Sequence, residues 1–357
     1  MQILVVGDSY CPSEAMRVAF EPLADRHEIT FCDVLDEPSW KPTTPSEQRV
    51  RELLGSPAQV FAYIGGRPCD AIVVQGAPIT EEILDATPSL KLICVARGGP
   101  VNVDIAAASE RGIPVVTTPG KNAQAVAELT VGFMVMLARR MPEIMRHAEG
   151  GGEVSRDNYE GSKWFGHDLE GHTLGLVGYG QIGHKVALIA TAMGMSVLVH
   201  DPFVDAAKIA APGVEPVALD ALLGRSDFVS LHARMTAENR GMIGREQIAR
   251  MKRGTFLINT ARDGLVDEDA MYEALRSGHL AGAALDIVKT PDLSKPHAFG
   301  TRHRLLEAPN VVIATHIGGA TYETIANGGR MAAAEIQRFA AGEPLVNVAN
   351  RAALEKR

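Results

Sequence analysis

The chain lacks the markers of several protein classes. None of its four cysteines, Cys11, Cys32, Cys69 and Cys94, forms a C-x-x-C pair, and no histidine or acid recurs beside them at metal-ligand spacing. Isolated thiols in apolar surroundings are expected to be small buried residues of a reduced, cytoplasmic protein. No apolar run approaches the roughly 18–20 residues of a membrane span. At the N-terminus, Met1–Gly7 reads as a first strand, because Asp8 comes too early for an export segment. No basic cluster is present beyond the short stretch around Arg302 and Arg304, and the formal net charge is −8. A mildly acidic chain without a basic face is a poor partner for nucleic acid.

What the sequence does contain is a regular alternation of short apolar runs and amphipathic stretches over 357 residues, enough for two domains. Near-continuous apolar strands are what a parallel sheet buried on both faces requires. A first set of strands falls at Ile3–Val6, Ile29–Phe31, Ala71–Val74, Leu92–Val95 and Val115–Val116, with helices expected at Glu14–Leu23, Ser46–Leu54 and Asn102–Glu110. A second set of six falls at Leu174–Val177, Ser196–Val199, Phe228–Ser230, Phe256–Asn259, Gly282–Leu285 and Val311–Ala314. Between the two sets, Asn122–His147 reads as one apolar helix crossing between domains, and Glu149–Lys163 as a polar loop. The helical tail Tyr322–Ala341 is expected to return to the first domain. The fold class is therefore α/β with two doubly wound parallel-sheet domains, a nucleotide-binding domain at 122–321 inserted in a domain made of 1–121 and 322–357.

The segment Gly178-Tyr179-Gly180-Gln181-Ile182-Gly183 follows a predicted strand and opens a predicted helix, His184–Met193. Asp201 ends the next strand, 23 residues after Gly178. This is the G-x-G-x-x-G fingerprint of a Rossmann unit in its proper context. Gly178 permits the tight turn, Gly180 lets backbone approach a pyrophosphate, and Gly183 lets helix and strand pack closely. Amides at the helix start, including those of Gln181 and Ile182, meet the phosphate charge. A carboxylate at Asp201 accepts from ribose hydroxyls and repels a 2′-phosphate, so the expected cofactor is NAD.

Further along, ordered markers narrow the reading. They are Arg97-Gly98-Gly99-Pro100-Val101-Asn102-Val103-Asp104, Asn122 with Val126-Ala127-Glu128-Leu129, Asp201-Pro202, Asn259-Thr260-Ala261-Arg262, Ala284-Leu285-Asp286 and His316-Ile317-Gly318-Gly319-Ala320-Thr321. From about residue 90 to 348 the chain resembles the D-isomer-specific 2-hydroxyacid dehydrogenases. The resemblance implies a flavodoxin-like substrate domain around the Rossmann domain, an active site in the cleft between them, and a homodimer paired through the cofactor domains. It implies Arg262 and His316 as catalytic residues. Chemistry supports both: a histidine titrating near neutrality suits the proton transfer that accompanies hydride transfer to a 2-keto acid. An arginine fork suits the substrate's carboxylate and carbonyl oxygens. Arg97, Gly98 and Gly99 are further substrate-binding candidates. His232, Ala233, Thr260, Ala261, Asp286, Gly318 and Gly319 join Pro202 as cofactor-lining candidates, with Arg262 and His316 at the same edge. For Asp286, at the end of an apolar strand, a cofactor contact or a helix cap would account for the carboxylate.

Three departures from the family pattern stand out. The glutamate that usually partners the catalytic histidine would fall at Pro291, which cannot orient an imidazole; Asp292, one residue on, is the substitute candidate. Thr315 stands where proline is common, and Asp263 where glycine is common. The remaining basic residues near this loop, Lys295, His297, Arg302, His303 and Arg304, read as a surface loop. Two other readings stay open: a same-fold enzyme acting on formate or phosphite, and an NAD-sensing, corepressor-like binding protein.

Overall fold

A computed structural model describes residues 1–37, 39–51, 53–64, 66–152, 164–209, 211–289 and 303–356. The chain divides into two compact units, Met1–Asn122 with Ala320–Arg357, and Ala123–Gly319.

The first unit holds a five-stranded sheet, β1 (Gln2–Gly7), β2 (Glu28–Asp33), β3 (Ala71–Val74), β4 (Leu92–Val95) and β5 (Val115–Thr117), in the order β2-β1-β3-β4-β5. Every pairing is parallel. This is the flavodoxin-like order, which reverses between β1 and β3. β3 and β4 are Ala-Ile-Val-Val and Leu-Ile-Cys-Val, buried at every position, as a centre covered on both faces demands. The helix Tyr322–Ala341 covers one face: Ala332, Ala333 and Ile336 join Met16, Phe20, Val5 and Val73 in one apolar cluster. Beyond it the chain runs antiparallel to β5, where Thr117 N–H donates to Asn347 O at 3.0 Å and Ala349 N–H to Val115 O at 2.8 Å.

The second unit holds seven parallel strands: β6 (Thr173–Val177), β7 (Ser196–His200), β8 (Val214–Pro216), β9 (Phe228–Leu231), β10 (Thr255–Asn259), β11 (Leu280–Leu285) and β12 (Val311–Ile313). Their order is β12-β11-β10-β9-β6-β7-β8, a dinucleotide-binding order extended by β12. Phe228 and Phe256 stack across β9 and β10 at 4.8 Å. Buried aliphatic and aromatic side chains of this kind each contribute about 1.5–3 kcal/mol.

Several local expectations are corrected. The second sheet has seven strands rather than six. β8 escapes the hydrophobic pattern because it is three residues long, carries Glu215 and Pro216, and lies on the edge, where proline costs no central ladder bond. The stretch Asn122–His147 is not one helix but two, Ala123–Ala138 and Met141–Glu149, broken where Arg140 adopts φ 54° and Pro142 restarts the chain. The helix expected at 46–54 is only Pro45–Arg49. Its continuation is drawn off by neighbours: Arg51 N–H donates to Val101 O and Leu54 N–H to Gly76 O. A helix at Pro57–Ile64 had no expectation attached.

All four cysteines are free and buried. Among the described residues no helix is long and apolar enough to cross a membrane, and no group of His, Cys, Asp and Glu is placed to hold a metal ion.

Candidate active site

The turn after β6 is built around its glycines. Gly178 has φ +101°, and a Cβ there would lie 2.7 Å from His232 C and Ala233 N. A Cβ on Gly183 would lie 2.3 Å from Gly178 O, so the helix Gln181–Ala192 seats directly on the turn. Gly180, the N-cap, is different: a Cβ there meets nothing within 4 Å. The first-turn amides of this helix have no intrahelical acceptor, and no acid occupies that turn. Open space over these orphan donors suits a pyrophosphate.

Asp201 follows β7. Its carboxylate accepts Tyr179 N–H at 2.8 Å and Phe203 N–H at 2.9 Å, which fixes it beside the glycine turn. Pro202 and Phe203 are exposed beyond it. At the end of β9, His232 N–H donates to Val177 O at 2.8 Å. The His232 Nε2 meets Ser230 Oγ at 2.9 Å, while Nδ1 is enclosed without a hydrogen-bond partner among the described residues. Enclosure pushes its pKa down to about 4, so the ring is neutral near pH 7. An orphaned polar atom beside the glycine turn and the opening over Gly180 fit a bound dinucleotide.

Arg262 and His316 stand on two turns at the C-terminal edge of the same sheet, after β10 and β12. A chain of buried hydrogen bonds joins these turns. Asn259, 1% exposed, ends β10. Its amide donates from Nδ2 to Arg262 O at 2.8 Å and accepts Ala261 N–H on Oδ1 at 3.0 Å. Asn259 O in turn accepts Asp286 N–H at 3.0 Å. Asp286, 2% exposed, then holds the second turn through all three of its oxygens. Its carbonyl accepts His316 N–H at 2.7 Å; Oδ1 accepts Ile317 N–H and Oδ2 accepts Gly318 N–H, each at 2.8 Å. A Cβ on Gly318 would lie 2.6 Å from Asp286 Oδ2, so only glycine admits this clasp. The Asp286 carboxylate thus caps a loop, not a helix. Gly319 is half-buried at the end of the clasped turn.

Both side chains above this scaffold are exposed. Arg262 Nη1 donates to Ala261 O at 2.7 Å, and among the described residues the rest of its fork makes no hydrogen bond or ion pair. Among the described residues the His316 imidazole makes no hydrogen bond or ion pair. Its backbone sits at φ 60°, a left-handed conformation that costs a histidine about 1–2 kcal/mol. Thr260, 6% exposed, packs below with its hydroxyl 3.0 Å from that of Thr130. Asp263 opens a 3₁₀ turn, Asp263–Leu265. Thr315 is exposed.

Pro291 and Asp292 lie outside the described residues, as do Lys295, His297 and Arg302. Arg304 is engaged by the helix Glu268–Arg276: its guanidinium lies 3.8 Å over the Tyr272 ring and pairs with Asp269 and Glu273. His303 Nε2 lies 3.5 Å from Glu268.

In the first unit, Arg97 lies two residues beyond β4, and Gly98 and Gly99 have open space where a Cβ would be. Their backbone is accessible to a ligand. Asn259 carried no assigned role in the sequence reading. The available signal was an amide closing the otherwise apolar strand Thr255–Ile258, where an unpartnered polar group would be costly.

A doubly wound sheet with a glycine-built turn, a fixed acid after its second strand, and a guanidinium and an imidazole on its C-terminal edge defines a dinucleotide-binding protein of the dehydrogenase type. Residues 131–318 match the family model described as D-isomer specific 2-hydroxyacid dehydrogenase, NAD binding domain. A D-3-phosphoglycerate dehydrogenase of Archaeoglobus fulgidus is 37% identical over 287 residues, 80% of this chain and 52% of that one. This chain therefore spans about half the length of that relative. A hydroxypyruvate reductase of Thermotoga maritima is 40% identical over 255 residues, 71% of this chain and 79% of that one. The crystal structure of a Thermus thermophilus protein superposes with TM-score 0.73 at 33% identity, covering 98% of this chain and all of that one. The chain belongs to the D-isomer specific 2-hydroxyacid dehydrogenase family and contains that family's NAD binding domain.

Proposed function

We propose that this protein interconverts a small D-2-hydroxy acid and its 2-keto acid with NAD(H). One observation carries the reading: Arg262 and His316 stand exposed on two turns that the Asn259–Asp286 hydrogen-bond chain ties to one sheet edge. In this reading the first-turn amides of Gln181–Ala192 take the pyrophosphate and Asp201 takes the adenosine ribose. Bound NAD(H) supplies or accepts the hydride at carbon 2. The Arg262 fork binds the substrate carboxylate and draws charge from the carbonyl oxygen. His316 gives that oxygen its proton during reduction and removes it during oxidation. The open backbone at Arg97–Gly99 in the first unit is a separate candidate for substrate binding. Asp292 is the candidate to orient His316.

NADH consumption with hydroxypyruvate, glyoxylate and 3-phosphohydroxypyruvate tests the reading. Turnover on at least one of these acids is expected. NADH binding with no turnover on any of them would contradict it and favour a nucleotide-sensing binding protein.

A further inference from the structure

The helix Ala123–Ala138 lies against the strands that carry the site. It packs on β10, β11 and β12, which lead into Arg262, Asp286 and His316. Val126, Thr130 and Leu137 all belong to its buried face. Each of them meets a different part of the frame that holds the two exposed side chains.

Thr130 meets the arginine turn. Its hydroxyl donates to Val126 O at 2.8 Å and lies 3.0 Å from the Thr260 hydroxyl. A threonine has one hydroxyl proton, so Thr260 is the donor between the two. Thr260 stands between Asn259, which clasps the turn, and Ala261, whose carbonyl holds Arg262 Nη1. The bond from helix to turn therefore falls two residues before Arg262. Burying a hydroxyl is costly without a partner, and valine would fill this place without that obligation. The use of the Thr130 hydroxyl is to hold Thr260.

Val126, one helical turn earlier, meets the histidine turn. Its Cγ2 lies 3.5 Å from the place a Cβ on Gly318 would take, at the glycine whose N–H Asp286 Oδ2 accepts. Farther along the helix, Leu137 O accepts Asn310 Nδ2 at 3.1 Å, just ahead of β12. Residues four apart share one helix face, so the contacts of Val126 and Thr130 stand about 6 Å apart on a rigid rod. The Asn259–Asp286 chain links the two turns once. The helix links them a second time, through side chains.

We infer that Thr130 and Val126 are positioning residues that set the spacing of Arg262 and His316, Thr130 acting on the arginine turn and Val126 on the histidine turn. The inference rests on the roles proposed above for Arg262 and His316. It adds what fixes the two turns relative to each other.

Hydrogen–deuterium exchange of the full chain reads each turn without any need for turnover. The reporters are the clasped amides: Ala261 for the arginine turn, Ile317 and Gly318 for the histidine turn. Thr130→Val should speed exchange at Ala261 about tenfold, the size of one buried hydrogen bond, and leave Ile317 and Gly318 unchanged. Val126→Ala should do the reverse. Thr130→Ser returns the hydroxyl without the methyl and should restore protection at Ala261, which a packing role would not. With a keto acid that is turned over, Thr130→Val should act mainly on KM and Val126→Ala mainly on kcat. Faster exchange at both turns in both variants, or at neither, would overturn the inference. The predicted pattern in a protein that turns over no keto acid would support the spacing role and contradict the proposed reaction instead. Should Thr130→Val not fold, Val126→Ala alone decides, by whether its effect is confined to the histidine turn.

Discussion

The two turns that carry Arg262 and His316 solve the same problem differently. Each presents an exposed polar side chain above a buried polar residue that ends the strand below or the strand beside it. The arginine turn rests on extended backbone, φ −147° and ψ 144°, and a neutral amide holds it. The histidine turn sits at φ 60°, and a buried carboxylate holds it with both oxygens. A turn of low intrinsic cost needs only a neutral clasp. A strained one needs charge-assisted bonds, each worth about 1.5–3 kcal/mol, roughly twice a neutral bond. The comparison teaches that the backbone beneath His316 is the more heavily held of the two, as the proposed proton transfer would require.

The largest expected effect separates chemistry from scaffold. His316→Asn keeps a residue that tolerates the left-handed conformation but cannot serve as acid or base. Turnover should fall about 10²–10⁴-fold. The melting temperature should barely move. A drop in stability comparable to the drop in rate would mean the histidine acts structurally.

A smaller effect sharpens the contrast between the clasps. Asp286→Ala should destabilise the protein by about 3 kcal/mol or more, and Asn259→Ala by about 1–2 kcal/mol, in urea unfolding. Turnover should fall further in Asp286→Ala, because it releases the histidine turn. Equal losses in the two variants would erase the distinction drawn here.

Much of this was legible in the sequence, for physical reasons that also explain the omissions. Gly178 and Gly183 are visible because positive φ and close approach admit few residue types, and Gly180 and Asp201 because their spacing from those glycines follows the dinucleotide fingerprint. The central strands are visible because burial on both faces leaves only apolar choices. β8 was not, because an edge strand of three residues imposes no pattern. The break at Arg140 was not, because apolar periodicity continues across it into Met141, Ile144 and Met145. The site's second layer was the least legible. Asp286 was conspicuous as a carboxylate ending an apolar strand, but its partners are backbone amides some thirty residues away at Ile317 and Gly318. Backbone partners have no residue type to betray them.

Transfer of a labelled hydride tests the central claim most directly. Single turnover with NADH deuterated at nicotinamide carbon 4, on the face the enzyme uses, and hydroxypyruvate should place deuterium on carbon 2 of a D-configured product. Unlabelled product, or label on an L-configured one, would contradict the account.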